Sequence, residues 1–224
     1  MMQGRQPGEV NGSGIQADVG KWGRIEVTFE SEMNVENPVQ EVSLLVMFTS
    51  PTEVVHQVHG FWDGRQTWRA RFSPDVEGEW TYMTFCSDAQ DSGLHNREGG
   101  FLCGPSDGYT RFDAHGPVRV SGDHRHFVHV DGTPFFWMAD TAWNGALRSS
   151  EDEWEYYLSE RVRQQFTAVQ WVATHWRSAP EGDLAGQFAF TGDERIAISP
   201  DFFKRLDQKV EAAFQAGMVS APVL

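Results

Sequence analysis

The hydrophobic period of this chain changes once, near residue 115, and that change limits the fold more than any single motif does. Upstream, apolar residues alternate along short runs separated by turns. Residues 21–30 carry Trp22, Ile25, Val27 and Phe29. Residues 67–72 alternate Trp68, Ala70 and Phe72, and residues 79–86 set Trp80, Tyr82, Thr84 and Cys86 on one face. Residues 41–49 add Leu45 and Met47 between Val42, Leu44, Val46 and Phe48, which predicts a strand buried on both faces. The run 54–62 ends at Asp63-Gly64, a hairpin signal, and Ser73-Pro74 marks another turn before a short strand at 99–103. Strands at roughly ten-residue spacing predict a β-sandwich over residues 15–115. The polar, Gly-rich residues 1–14 are expected to be disordered.

Downstream, two short strands at 117–120 and 127–130 form a bridge, and Asp131-Gly132 turns the chain. Phe135, Phe136, Trp137, Met138 and Ala139 then form a continuous apolar run, as a strand of a parallel sheet does. Residues 149–166 predict a helix. Ser150 and Glu153 make a capping box, and Trp154, Tyr157, Leu158, Val162 and Phe166 line one stripe. Residues 168–173 form a second apolar strand. Residues 200–216 predict a second helix, with Ser199 as N-cap, Pro200 at its first position and Gly217 past its end. Its stripe is Phe203, Leu206, Val210 and Phe214, and a third strand begins at Met218.

The order β-α-β-α-β gives right-handed crossovers and parallel neighbours. A doubly wound sheet and a (β/α)8 barrel both accept it. A dinucleotide-binding sheet wants G-x-G-x-x-G after its first strand. Here Asp140-Thr141-Ala142-Trp143-Asn144-Gly145 puts an indole where glycines are needed, which favours the barrel. The expected fold class is therefore multidomain, β plus α/β. A sandwich precedes the first βαβαβ portion of an incomplete TIM barrel over residues 116–224. A whole barrel takes ~250 residues, so the chain is expected to be the N-terminal part of a longer protein. A lone three-strand sheet leaves an open edge and an uncovered face.

Charge narrows the partners. Lys and Arg number 18 against 32 Asp and Glu, a formal net charge of −14. Nucleic acid and anionic lipid would both repel such a chain. No apolar run reaches the ~18 residues a membrane span needs. Residues 1–14 lack an apolar signal core, so the expected location is cytoplasmic. The lone pair Cys86 and Cys103 is expected to be reduced, although spacing leaves a bridge between neighbouring strands open. Nine Trp and 16 Phe mostly serve packing, but exposed rings also stack on sugars, which raises carbohydrate as a partner.

In a barrel, chemistry sits at the C-terminal strand ends. After the first strand come Asp140 and Trp143, and after the second His175 and Trp176. Asp140 suits a sugar hydroxyl or a positioning role, Trp143 and Trp176 suit stacking on a sugar face, and His175 suits hydroxyl donation. Each also has a plain structural use in turns and packing. The connection 174–199, about 25 residues with Phe188 and Phe190, is long enough to form a cleft wall. His124, His126 and His129 lie upstream of the first barrel strand, at the wrong end for barrel chemistry, and read as exposed strand histidines, as do His56 and His59. No nucleophile elbow, phosphate loop or H-E-x-x-H occurs. No carboxylate pair with glycosidase spacing can be nominated within these residues.

The ordered motifs resemble apiosidase-like glycoside hydrolases, barrel proteins that often carry an Ig-like domain of unknown function in front. The N-terminal marks are Lys21-Trp22, Asn37-Pro38, Gly60-Phe61-Trp62-Asp63-Gly64, Arg71-Phe72-Ser73-Pro74 and Glu77-Gly78-Glu79-Trp80. The barrel marks are Gly116-Pro117-Val118, Asp131-Gly132-Thr133-Pro134-Phe135 and Asp140-Thr141-Ala142-Trp143. The resemblance implies an Ig-like sandwich and retaining cleavage of glycosidic bonds in plant-type polysaccharide. The acid/base and nucleophile would stand on later strands, beyond residue 224. It carries over Asp140 and Trp143 as site wall, with His175 and Trp176, and implies no cofactor. Two other readings stand beside it: a carbohydrate-binding or spacer sandwich using Trp62 and Trp68, and a metal-dependent hydrolase using His124 and His126.

Overall fold

The computed structural model describes residues 8–11, 19–106, 108–174, 177 and 179–223, with side chains described from residue 19 onward. The chain divides into two compact units, Met1–Asp107 and Gly108–Leu224. Its described elements are mostly β.

In the first unit, the chain order is β1 (Gly8–Asn11), β2 (Val19–Gly20), β3 (Ile25–Glu30), α1 (Pro38–Glu41), β4 (Leu44–Thr49), β5 (Val55–His59), β6 (Phe61–Trp62), β7 (Thr67–Phe72), β8 (Gly78–Cys86) and β9 (Glu98–Gly104). One sheet has the order β1-β3-β7-β6 and the other β2-β9-β8-β4-β5. Period-two alternation turns one face of each sheet into a shared core. Ile25, Val27, Phe29, Trp68 and Ala70 come from the first sheet, and Leu44, Val46, Phe48, Trp80, Tyr82 and Phe101 from the second. Phe48 stacks on Phe72 across the sheets, with ring centroids 4.4 Å apart. Between β5 and β6 the chain changes sheets at Gly60, where a Cβ would stand 2.7 Å from Leu44 Cδ2.

Three expectations change here. Strand β4 is buried on one face only; Leu45 and Met47 are half-buried, because their side chains meet only the outer-face neighbours on β5 and β8. Within 1–14, Gly8–Asn11 pairs in parallel with β3 instead of lacking regular structure, since the β3 edge offers backbone partners. A bridge between Cys86 and Cys103 is excluded by register. Cys103 faces Gly78, and Cys86 lies eight residues further along β8, roughly 25 Å away at ~3.3 Å per residue. Both thiols are free and buried, and burial pushes that of Cys103 up to about 11. Trp68 is a core residue, and Trp62 is half-buried with Nε1 donating to the Arg65 carbonyl at 2.8 Å.

The second unit runs α2 (Arg111–His115), β10 (Val118–Val120), β11 (Phe127–His129), β12 (Pro134–Phe135), β13 (Ala139–Thr141), α3 (Gly145–Arg148), α4 (Glu151–Arg163), β14 (Ala168–Val172), β15 (Phe190–Thr191), β16 (Ala197–Ile198), α5 (Pro200–Gln215) and β17 (Val219–Val223). β10-β11-β12 is an antiparallel sheet and β13-β14-β17 a parallel one. Helices α4 and α5 begin as the sequence predicts. The Ser150–Glu153 capping box is present, and Ser199 Oγ accepts from Phe202 N. The α5 stripe keeps Leu206 but otherwise centres one residue earlier than expected. Phe202, Leu206, Lys209 and Ala213 are the buried positions, while Phe203 and Val210 pack at its flank.

The apolar run 135–139 is not one strand. Phe135 ends β12, antiparallel to β11, and the parallel strand begins only at Ala139. Phe136, Trp137 and Met138 between them are exposed, Phe136 at 75%. An apolar run signals burial but cannot locate the point where the chain leaves one sheet for another. The long connection after β14 is anchored. It holds the β15–β16 hairpin, and Ala179 and Ala189 enter the core. Asp183 accepts from the backbone of Ala185 and Gln187, both at 2.9 Å, and pairs with Arg205.

Candidate functional site

Side-chain alternation gives the parallel sheet two different faces. Ala142, Val169, Trp171 and Ala173 pack with Trp154, Leu158, Phe202 and Leu206, so this face meets α4 and α5. The intervening residues make the helix-free face. In register, Ala139, Ala168 and Val219 form one layer and Thr141, Gln170 and Ala221 the next. Val172 and Val223 form the third. The ladder continues beyond Thr141. Ala142 N donates to the Gln170 carbonyl, and Val172 N donates to the Trp143 carbonyl, both at 2.8 Å. Trp143 follows in the turn at the C-terminal end and is 53% exposed. No ionisable residue occupies this face of the three strands. The Gln170 side chain is half-buried.

Asp140 points the other way. It shares register with Val169 and therefore faces α4. Its Oδ2 accepts from Tyr157 Oη at 2.7 Å and from Arg161 Nε at 2.5 Å. Burial pushes its carboxyl up, but hydrogen bonds from Tyr157 and Arg161 outweigh that and hold it below the usual range. Burial and the neighbouring carboxylate push the Tyr157 phenol up to about 12. The group that resembled site wall is, in geometry, a strand-to-helix clamp. Tyr157 and Arg161 reach it together because they are four apart on one helix face. His175 and Trp176 lie outside the described residues.

The histidine trio does not converge. His124 sits in a turn at φ 59°, and His126 lies 3.4 Å from Asp123. His129, expected to be exposed, is buried, with Nδ1 2.7 Å from the Gly116 carbonyl oxygen. Phe112 and Phe135 pack around its ring, because β11 is the central strand of its sheet. Among the described residues no three of His, Cys, Asp and Glu gather as metal ligands. No described helix is long and apolar enough to cross a membrane.

A cavity of about 400 Å³ opens among α3, α4 and α5, on the helix side of the sheet. Its two buried charged groups, Lys209 and Asp183, are already engaged. Lys209, which the sequence placed outside the apolar stripe, is buried, and its Nζ donates to the Ser149 and Ser150 carbonyls at 3.0 and 2.6 Å. Burial holds its ammonium below the usual lysine range. The Asp183–Arg205 pair closes another wall. This cavity is a crevice between helices.

Comparison with known proteins finds relatives of both segments. Residues 121–224 match the model of the apiosidase-like catalytic domain, and residues 18–87 match a domain of unknown function, DUF5060. The resemblance read from the motifs holds over both segments. A protein of Bacteroides vulgatus ATCC 8482, described as a candidate glycoside hydrolase, superposes with a TM-score of 0.75 at 26% identity. The alignment covers 93% of this chain but 41% of that one, so this chain spans about two-fifths of the relative's length. A glycoside hydrolase family 5 protein of the same organism aligns over 51% of this chain and 26% of its own, at 24% identity and a TM-score of 0.42. No curated protein matches the sequence.

Proposed function

We propose that this chain supplies the N-terminal part of a glycoside hydrolase: an Ig-like sandwich followed by the first three strands of a (β/α)8 barrel. The observation that carries the reading is the three-strand parallel sheet. It is covered by helices on one face and lined by small and uncharged residues on the other, with Trp143 exposed at its C-terminal end. Barrel hydrolases place substrate at that end. The relative's similarity over nearly the whole chain supports the same architecture. Carbohydrate is the partner, of plant polysaccharide origin, and cleavage is retaining. In such cleavage two carboxylates stand ~5–5.5 Å apart, one as general acid and one as nucleophile.

The face of β13, β14 and β17 contributes no carboxylate, and Asp140 is committed to α4. The reacting pair therefore belongs to later strands, and residues 1–224 bind sugar without cleaving it. Trp143 serves as stacking wall, joined by His175 and Trp176. Asp140 positions the strand end that carries Trp143. Incubating the purified chain with plant oligosaccharides and analysing products by chromatography tests this. Unchanged substrate is expected, and any turnover abolished by substituting a single carboxylate of this chain overturns it.

A further inference from the structure

The five-stranded sheet of the first unit buries one face in the sandwich core and carries an apolar band on the other. On β4 the core takes Leu44, Val46 and Phe48, so alternation turns Leu45 and Met47 outward. Register sets Met47 between Met83 on β8 and Gln57 on β5, and Met83 beside Glu98 on β9. One row across four strands therefore reads Glu98, Met83, Met47, Gln57. The next row sets Phe85 beside Leu45, and Leu45 beside His59. Met83 and Phe85 are each 37% exposed, on a face where a sandwich normally carries polar residues. His95 meets the Phe85 ring edge-on at 6.2 Å, which holds that ring in place. Leu44 to Phe48 is apolar at every position, the pattern of a strand covered on both sides, and the sandwich core covers one.

We propose that this outer face is a self-association surface, covered by a second copy of the chain in a two-fold, face-to-face contact. The row itself carries the argument. A two-fold axis parallel to the strands, between β4 and β8, lays the row on its own reverse. Met83 of one copy then meets Met47 of the other, Phe85 meets Leu45, and Glu98 meets Gln57. Thioethers and rings fill the centre. At both ends a carboxylate, which accepts, faces a carboxamide, which donates, with the His59 imidazole one row further on. An apolar middle inside a complementary polar edge is the anatomy of a specific interface. The size also suits. Strands ~4.8 Å apart, with nine residues along β8 at ~3.3 Å each, give a face of roughly 20 by 30 Å. Each partner in a stable contact contributes ~800 Å², which is on that scale once side-chain relief is included. The formal charge of −14 opposes pairing, but at ~0.15 M salt repulsion beyond ~8 Å is largely screened. The inference is independent of the glycoside hydrolase reading.

Sedimentation velocity of the intact chain, from ~1 to ~100 µM in ~0.15 M salt, tests this. The expected result is concentration-dependent conversion to a species of twice the chain mass. Met83→Lys sets an ammonium in the apolar centre, while Glu98 beside it on β9 preserves the fold. It is expected to raise the dissociation constant about 100-fold. Gln57→Glu brings two carboxylates together only in the dimer and is expected to weaken it about tenfold. Because Gln57 is exposed on β5, its variant keeps the test informative if thermal melts show Met83→Lys to fold poorly. A chain that stays monomeric over the whole range overturns the proposal. A dimer that neither substitution weakens also overturns it and places the contact on another surface. An open-ended series of larger species does so too, because a two-fold contact closes on itself.

Discussion

Asp140 shows how one residue can be placed correctly along a chain and still face away from its expected partner. The motif Asp140-Thr141-Ala142-Trp143 fixed the strand end, but the period of two decided the face of Asp140, sending it to α4, while Trp143 is exposed in the turn past the strand. The clamp has a pH signature. The folded Asp140 carboxyl lies below its ordinary value, so its stabilising contribution is present above the unfolded pKa and fades as pH falls through the folded one. Tyr157 runs the other way. Its phenol rises from 10 to about 12, so that contribution is complete below pH 10 and is lost as pH climbs towards 12. Tyr157→Phe is expected to cost about 1 kcal/mol at neutral pH and to flatten the alkaline limb of a stability-versus-pH curve from denaturant melts. A curve identical to that of the parent would show that the clamp contributes nothing. Sequence reasoning found the turn, but the clamp needs a strand and a helix brought together, which no local window contains.

At the scale of elements, capping and turn chemistry were the most legible. Ser150 and Glu153 form their capping box, and Ser199 with Pro200 starts α5 where expected. Ser150→Ala removes the acceptor for Glu153 N, and chemical denaturation is expected to show a loss of about 1 kcal/mol. Gly60→Ala drives a methyl group into Leu44 at the change of sheets, with an expected loss of about 1–3 kcal/mol in the same assay. Wild-type midpoints in both variants would contradict the account of these elements. The run at 135–139 was less legible, because apolar content alone does not separate an antiparallel strand end from an exposed segment or a parallel strand start. Lys209 was missed for a related reason. A lysine at a stripe position is read as solvent-facing, whereas here two backbone carbonyls at the start of α4 receive its ammonium.

For the molecule as a whole, the hydrophobic period changes near residue 115, and the structure divides into two units at Asp107 and Gly108. The first unit packs two sheets on one aromatic core, and the second builds a parallel sheet with a helix-covered face and a helix-free face. The central claim is that sugar meets the second unit at Trp143. The rival claim places sugar on the first unit, where Trp68 is core and Trp62 is half-buried with its indole N–H already bonded. The chain's nine tryptophans make the contest measurable through their indole N–H signals. A ¹⁵N-labelled sample would be titrated with a neutral disaccharide, with signals assigned by single Trp→Phe variants. The account predicts that the Trp143 indole shifts saturably while those of Trp62 and Trp68 stay fixed. Saturable shifts confined to Trp62 and Trp68 would contradict it and make the first unit the binding module.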